Sequence, residues 1–143
     1  VHSYARRERA YWMSWEVAAL ARAAADAADI MDAGRWPIDK NGNRCRKLAT
    51  LMASVRSWNT EAPVWDSVTG KTDRLRIHEA ERAVELPVGH TAQGPRGEVI
   101  PEAKRLEMVG NGINVATVAA LLAQGLRGSN TTMNRWMVRP QAQ

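Results

Sequence analysis

Apolar residues recur at helical spacing in three stretches of this chain, and clusters of Gly, Pro, Asn and Asp that regular elements do not cross separate them. In the first, Val17, Leu20, Ala24, Ala28 and Met31 share one face. Ser14 stands where a cap belongs, so a helix is predicted from Ser14 to Ala33, stopped by Gly34 and Pro37. In the second, Arg74 to Leu86, the pattern turns Ile77, Ala80, Ala83 and Val84 inward and the charges outward, and Pro87 and Gly89 end it. In the third, a long apolar helix is predicted from Asn111 or Gly112 through Ile113, Val115, Val118, Leu121 and Leu122 to Gly125 or Gly128. Ahead of all three, Ala10 to Met13 has the composition of a buried strand. A chain of 143 residues, 45% of them hydrophobic, suffices for one domain's core.

The breaks carry the charge. Asp39 to Asn43 is turn-rich, and from Lys40 to Arg56 the cations Lys40, Arg44, Arg46, Lys47 and Arg56 occur with no acid among them. This density suits phosphate binding, although a solvated face can carry it too. The whole chain agrees in sign, with a formal net charge of +5 and a pI near 10.0. Arg supplies 16 of the 20 cations, and its planar fork suits phosphate and guanine. A polyanionic partner, nucleic acid first, is therefore expected.

The single Cys45 excludes an internal disulfide framework. With His2, His78 and His90 it forms no paired zinc-ligand spacing, so no metal is expected. The uncharged stretch Met108 to Gln124, interrupted by Asn111, Asn114 and Thr117, falls short of a membrane span, and no membrane partner is expected. A second break, Asp66 to Asp73, holds Gly70-Lys71-Thr72, which looks like the end of a phosphate-binding loop. Trp65 stands where that loop needs its first glycine. Gly110-Asn111-Gly112 has two readings. It is a plain helix cap, or a helix start at which free amides and the helix dipole receive a carboxylate or phosphate.

Three blocks, in order, resemble the C-terminal half of the cytosine-5 DNA methyltransferases. Arg6-Arg7-Glu8-Arg9-Ala10-Tyr11-Trp12-Met13 is similar to motif VIII, where an Arg-x-Arg pair leads into a strand. Arg74-Leu75 with Glu79-Ala80-Glu81-Arg82-Ala83-Val84-Glu85-Leu86-Pro87-Val88-Gly89-His90-Thr91 is similar to motif IX, especially that of the vertebrate de novo enzymes. Arg105-Leu106-Glu107-Met108-Val109-Gly110-Asn111-Gly112-Ile113-Asn114-Val115 is similar to motif X in its bacterial Gly-Asn form. The resemblance spans roughly Ser3 to Leu126. It implies an α/β fold, namely the C-terminal part of a Rossmann-like S-adenosylmethionine-dependent methyltransferase with a small irregular target recognition domain. Residues 1–13 would then be the last strand region of the catalytic domain, 14–73 the target recognition domain, 74–127 the motif IX helix and the motif X return, and 128–143 a tail. The basic stretch falls inside the recognition segment.

The family's chemistry is the addition of a cysteine to carbon 6 of a flipped-out cytosine, followed by methylation of carbon 5 from S-adenosylmethionine. The resemblance assigns Arg7 and Arg9 to stabilising charge on the cytosine ring, with Arg9 at O2. It assigns Asn111, Gly112 and Ile113 to the cofactor. Motif IX is architectural in the family, so Glu79 and Arg82 are expected to form a scaffold ion pair. In double-stranded DNA, Arg44, Arg46 and Lys47 are expected on phosphates and Arg56 on a guanine edge.

Departures from the pattern matter. Ala5 stands where motif VIII usually has Gln, and the Gly-Phe-Pro of motif IX reads Glu85-Leu86-Pro87. The Pro-Cys nucleophile, the Glu-Asn-Val segment and the glycine-rich cofactor strand do not occur, and Cys45 lies in the recognition segment. The chain is therefore expected to be inactive alone, with the catalytic half upstream in the same protein as its partner. The alternative is a non-catalytic DNA-binding or accessory subunit of a split or decayed methyltransferase. Either reading places the protein inside the cell on DNA, in the nucleus of a eukaryote or the cytoplasm and nucleoid of a bacterium or phage host.

Overall fold

The computed structural model describes residues 26–51 and 63–137, with side chains in the last helix described as far as Arg127. The motif VIII block with Arg7 and Arg9, the strand expected at Ala10 to Met13, and Arg56 lie outside the described residues. So does most of the helix expected from Ser14. Its last part, from Asp26 on, is not α-helical. Asp26 caps a single 3-10 turn, Ala27–Asp29, by accepting from the Ala28 amide at 3.0 Å, and the chain then runs irregularly into the first strand.

Three short strands, β1 (Arg35–Pro37), β2 (Val64–Asp66) and β3 (Lys71–Asp73), form an antiparallel sheet in that order. Arg35 pairs with Asp66, Trp36 with Trp65 and Pro37 with Val64. On the other side, Val64 pairs with Asp73 and Trp65 with Thr72. The side-chain period of two buries Arg35, Pro37, Val64 and Asp66, and leaves Trp36 and Trp65 half-buried on the opposite face. Residues 66–73, expected as a break, are thus a β-hairpin. The Asp66 carboxylate accepts from the Val68 and Thr69 amides at 2.9 and 3.2 Å and closes its turn. Lys71 and Thr72 are exposed strand residues.

Helix α1 (Ile77–Ala83) follows. Ala80, Ala83 and Val84 are buried as their spacing predicts, packing with Leu48, Leu51, Val64, Leu75, Leu106 and Val109 in the core. The charges do not all point outward, however: Glu79 and Glu81 are both fully buried. The helix ends in a Schellman arrangement. The Leu86 amide donates to the Glu81 carbonyl and the Glu85 amide to that of Arg82, both at 2.9 Å. Glu85 takes the left-handed position, φ 61°, that glycine usually fills.

A separate helix, α2 (Glu102–Asn111), comes next and packs across α1. The long apolar helix expected from Asn111 or Gly112 to Gly125 or Gly128 starts later and runs further, as α3 (Val115–Met137), after the connector Gly112-Ile113-Asn114. Apolar spacing continues back from α3 through Ile113, which is why the sequence places the helix start inside the connector. The break is made by Asn114, whose carboxamide oxygen accepts from the Thr117 amide at 2.9 Å and caps α3. Glu85 completes the junction, its carboxylate accepting from the Ala116 amide at 2.9 Å while the Val84 carbonyl accepts from Val115 at 3.1 Å. Replacing Glu85 by Ala should cost about 1–2 kcal/mol, because the cap is lost and the left-handed strain is kept. Replacing it by Gly should be close to neutral, because relieved strain offsets the lost cap. Urea midpoints of the two variants distinguish these outcomes.

Met108, Ile113, Val115, Leu122 and Leu126 are exposed along α2, the connector and α3. By length and composition alone, Glu102–Arg127 is also long and apolar enough to cross a membrane, contrary to expectation. The break at Gly112–Asn114 and the charges of Glu102, Lys104, Arg105 and Glu107 interrupt that stretch.

Candidate nucleic-acid interface and its scaffold

Two carboxylates on a two-turn helix organise the molecule. Residues 79 and 81 are two steps apart, which at 100° per residue points them to nearly opposite sides of α1. Glu79 faces the sheet. Its Oε1 accepts from Arg35 Nε at 2.9 Å and from the Asp32 amide at 3.1 Å, and its Oε2 accepts from Arg35 Nη2 at 3.2 Å and the Arg76 amide at 2.9 Å. Arg35, with a side chain only 1% exposed, spends its remaining donors on Asp66 at 3.0 Å, Asp73 at 2.8 Å and the Arg74 carbonyl at 2.7 Å. All five guanidinium N–H groups are therefore satisfied. Burial alone would favour loss of the Arg35 proton, but the hydrogen bonds and charges of Glu79, Asp73 and Asp66 outweigh it and raise its pKa. The Arg35 hydrogen bond, with the Arg74 amide, holds Asp73 below its ordinary value.

Glu81 faces the other way. It accepts from the Gly89 amide at 2.7 Å, the Thr91 amide at 2.9 Å, the Thr91 hydroxyl at 2.5 Å and Arg105 Nη2 at 3.1 Å. Burial opposes its ionisation, yet these donors lower its pKa. One helix thus fastens the β1–β3 segment with Glu79 and the returning 89–105 segment with Glu81.

The expected pairing of Glu79 with Arg82 does not occur. Both are scaffold residues, but Arg82 donates to Asp32 at 2.7 Å. Asp32 also accepts from Arg76 and His78 at 2.8 Å each, so Nε2 of His78 carries the proton. Burial raises the Asp32 pKa, but the hydrogen bonds from His78, Arg82 and Arg76 outweigh it and hold the carboxyl far below its ordinary value. An open cleft of about 370 Å³ nearby is lined by Asp73, Arg74, Arg76, Ile77, His78 and Glu102. Its arginines are paired, Arg74 with Glu102 and Arg76 with Asp32 and Asp66, so it offers an anion little uncompensated charge.

Of the basic residues expected to meet DNA, Arg44 sits with Lys40 on a second hairpin, and Arg46 and Lys47 follow directly after it. Residues 37–39 run antiparallel to 43–45: Cys45 donates to the Pro37 carbonyl at 2.8 Å, Asp39 to the Asn43 carbonyl at 2.9 Å, and Ile38 bridges Arg44. The tip is Lys40-Asn41-Gly42, with Gly42 at φ 83° as such a three-residue loop requires. The Asp39 carboxylate accepts from the Asn41 and Asn43 amides at 2.8 and 2.9 Å and from the Asn43 side chain at 3.1 Å. Arg44 lies over the Trp36 ring, 5.3 Å from its centroid. Arg46 donates to Asp26 at 3.2 Å from an exposed position, and Lys47 is half-buried just beyond. Cys45 donates its thiol to the Asn43 carbonyl at 3.7 Å.

Asn111, Gly112 and Ile113 lie where α2 ends, not where a helix begins. The α3 start is filled from within by the Val84 carbonyl, Glu85 and Asn114, so a second carboxylate is not accommodated there. Another donor remains: among the described residues, Asn114 Nδ2 is buried without a hydrogen-bond partner, next to exposed Ile113 and two residues beyond the half-buried Gly112. Among described residues, no group of His, Cys, Asp and Glu could hold a metal ion. No protein-family model matches the chain, and no curated protein matches it significantly.

Proposed function

We propose that this chain is the C-terminal part of a cytosine-5 DNA methyltransferase, with a Rossmann-like catalytic domain, supplying target recognition and part of the cytosine and cofactor sites. The observation that carries the reading is the double fastening of α1. The resemblance makes this helix the brace between a recognition segment and the returning catalytic chain, and Glu79 and Glu81 grip those two segments from opposite sides. The exposed apolar stripe on α2 and α3 supports it further, since a catalytic half packed there would cover it.

On this reading Arg9 and Arg7 stabilise negative charge on the O2 and N3 side of the cytosine ring, and Asn111, Gly112, Ile113 and Asn114 form one wall of the cofactor site. S-adenosylmethionine, when bound, supplies the methyl group. The nucleophilic thiol comes from a segment other than these residues, because Cys45 belongs to the basic hairpin. The basic hairpin also favours the second reading, a DNA-binding accessory subunit, which needs the hairpin and not the connector.

A duplex containing 5-fluorocytosine separates them. After thiol addition at carbon 6 and methylation at carbon 5, turnover requires loss of a proton from carbon 5, and fluorine cannot leave as a proton does. The protein from the full open reading frame, given S-adenosylmethionine, should form a denaturant-stable adduct with that duplex and none with ordinary cytosine. Binding without an adduct would favour the accessory subunit.

A further inference from the structure

The hairpin is built to hold its side chains still. The Asp39 carboxylate takes three hydrogen bonds from the tip, and hydrogen bonds to Asn43 and Asn41 together with Lys40 keep it ionised. It is the single acid among residues 38–47, against Lys40, Arg44, Arg46 and Lys47. By the hairpin's register, Ile38 stands opposite Arg44, so Trp36 is Arg44's diagonal neighbour on one face. The ring therefore braces the guanidinium from beside it, and Arg44 donates no hydrogen bond to any group among the described residues. A guanidinium fixed by its face keeps its N–H edge open, and that edge matches the O6 and N7 acceptors of guanine. Its neighbours differ: Arg46 already holds Asp26, and Asn43 is tied to Asp39. A two-stranded ribbon also fits the width of the major groove.

Resting on the DNA reading above, we propose that the 37–45 hairpin enters the major groove and that Arg44, positioned by Trp36, reads a guanine there rather than a phosphate. Lys40 at the tip supplies backbone contacts. Trp36 is a positioning residue whose ring sets the orientation of Arg44.

The test is selection of the full 143-residue chain on duplexes with a randomised ten-base-pair core, followed by sequencing of the bound fraction, for wild type, Arg44→Ala, Trp36→Leu, Trp36→Phe and Lys40→Ala. Wild type should enrich a motif containing an invariant guanine. Arg44→Ala should lower preference for that base by about tenfold to a hundredfold while changing affinity for unselected duplex little. Trp36→Leu should reproduce the loss and Trp36→Phe should restore most of it, with melting curves confirming that each variant is folded. Lys40→Ala should weaken all duplexes alike and reduce the salt dependence by about one counterion. If Arg44→Ala behaves as Lys40→Ala does, or if wild type binds but enriches no guanine, the assignment fails and the DNA reading stands. If wild type binds no duplex, both fall.

Discussion

Replacing Arg35 by alanine should destabilise the protein by about 3–5 kcal/mol, measured by urea unfolding followed through tryptophan fluorescence. The size follows from what is left behind. Glu79 has no exposed surface, Asp66 almost none, and each would lose a charged donor without gaining water. Arg35→Lys should recover only part of the loss, because one ammonium cannot reach Glu79, Asp66, Asp73 and the Arg74 carbonyl together. A double-mutant cycle with Glu79→Ala should show strong coupling, the pair being in direct contact. An Arg35→Ala cost below about 1 kcal/mol would mean that the sheet and α1 hold without the ion network.

Carboxylates on both sides of α1 set the response to acid. Asp32, Asp73 and Glu81 all have pKa values lowered in the folded protein. For depressed groups the unfolded chain binds protons first, so their contribution is complete above the ordinary carboxylate range, near pH 4, and is lost as pH falls through the lowered values. Stability should therefore be flat with respect to these groups near neutrality and fall steeply below about pH 4. In Arg35→Ala the Asp73 share of that slope should shrink, the bond from the Arg74 amide remaining.

The second large effect concerns chemistry. In the protein encoded by the full open reading frame, Arg9→Ala should lower methyl transfer by about 10²–10³-fold, the usual loss when one donor is withdrawn from a developing charge. Duplex affinity should change little, which separates a role at the ring from a role on the backbone. Arg7→Ala should cost less, since the proposal puts Arg9 and not Arg7 at O2. Equal losses in binding and in rate would return both residues to phosphate bridging.

The sequence made α1 legible through Ala80, Ala83 and Val84, and the Asp39–Asn43 turn through its composition. The motif blocks came from resemblance rather than from periodicity. The buried carboxylates were missed because Glu on a short helix is normally solvated, and a pattern argument turns it outward. The signal that could have found Glu79 is Arg35, a charge at an alternating strand position that faces the core. The connector was missed for a different reason, since apolar spacing continues through Gly112 to Asn114. Asn114 with Thr117 three residues on is a cap signal in its own right, and it outweighs the apolar continuity. The hairpin at 66–73 reads as a break because its strands are three residues long and Lys71 to Asp73 is wholly exposed.

The central claim is tested most directly by methyl transfer from labelled S-adenosylmethionine to duplex DNA, comparing residues 1–143 with the protein from the full open reading frame. The account predicts label at carbon 5 of cytosine for the longer protein only, and its loss in Arg9→Ala. Duplex binding by both with label in neither would contradict it and leave a DNA-binding subunit.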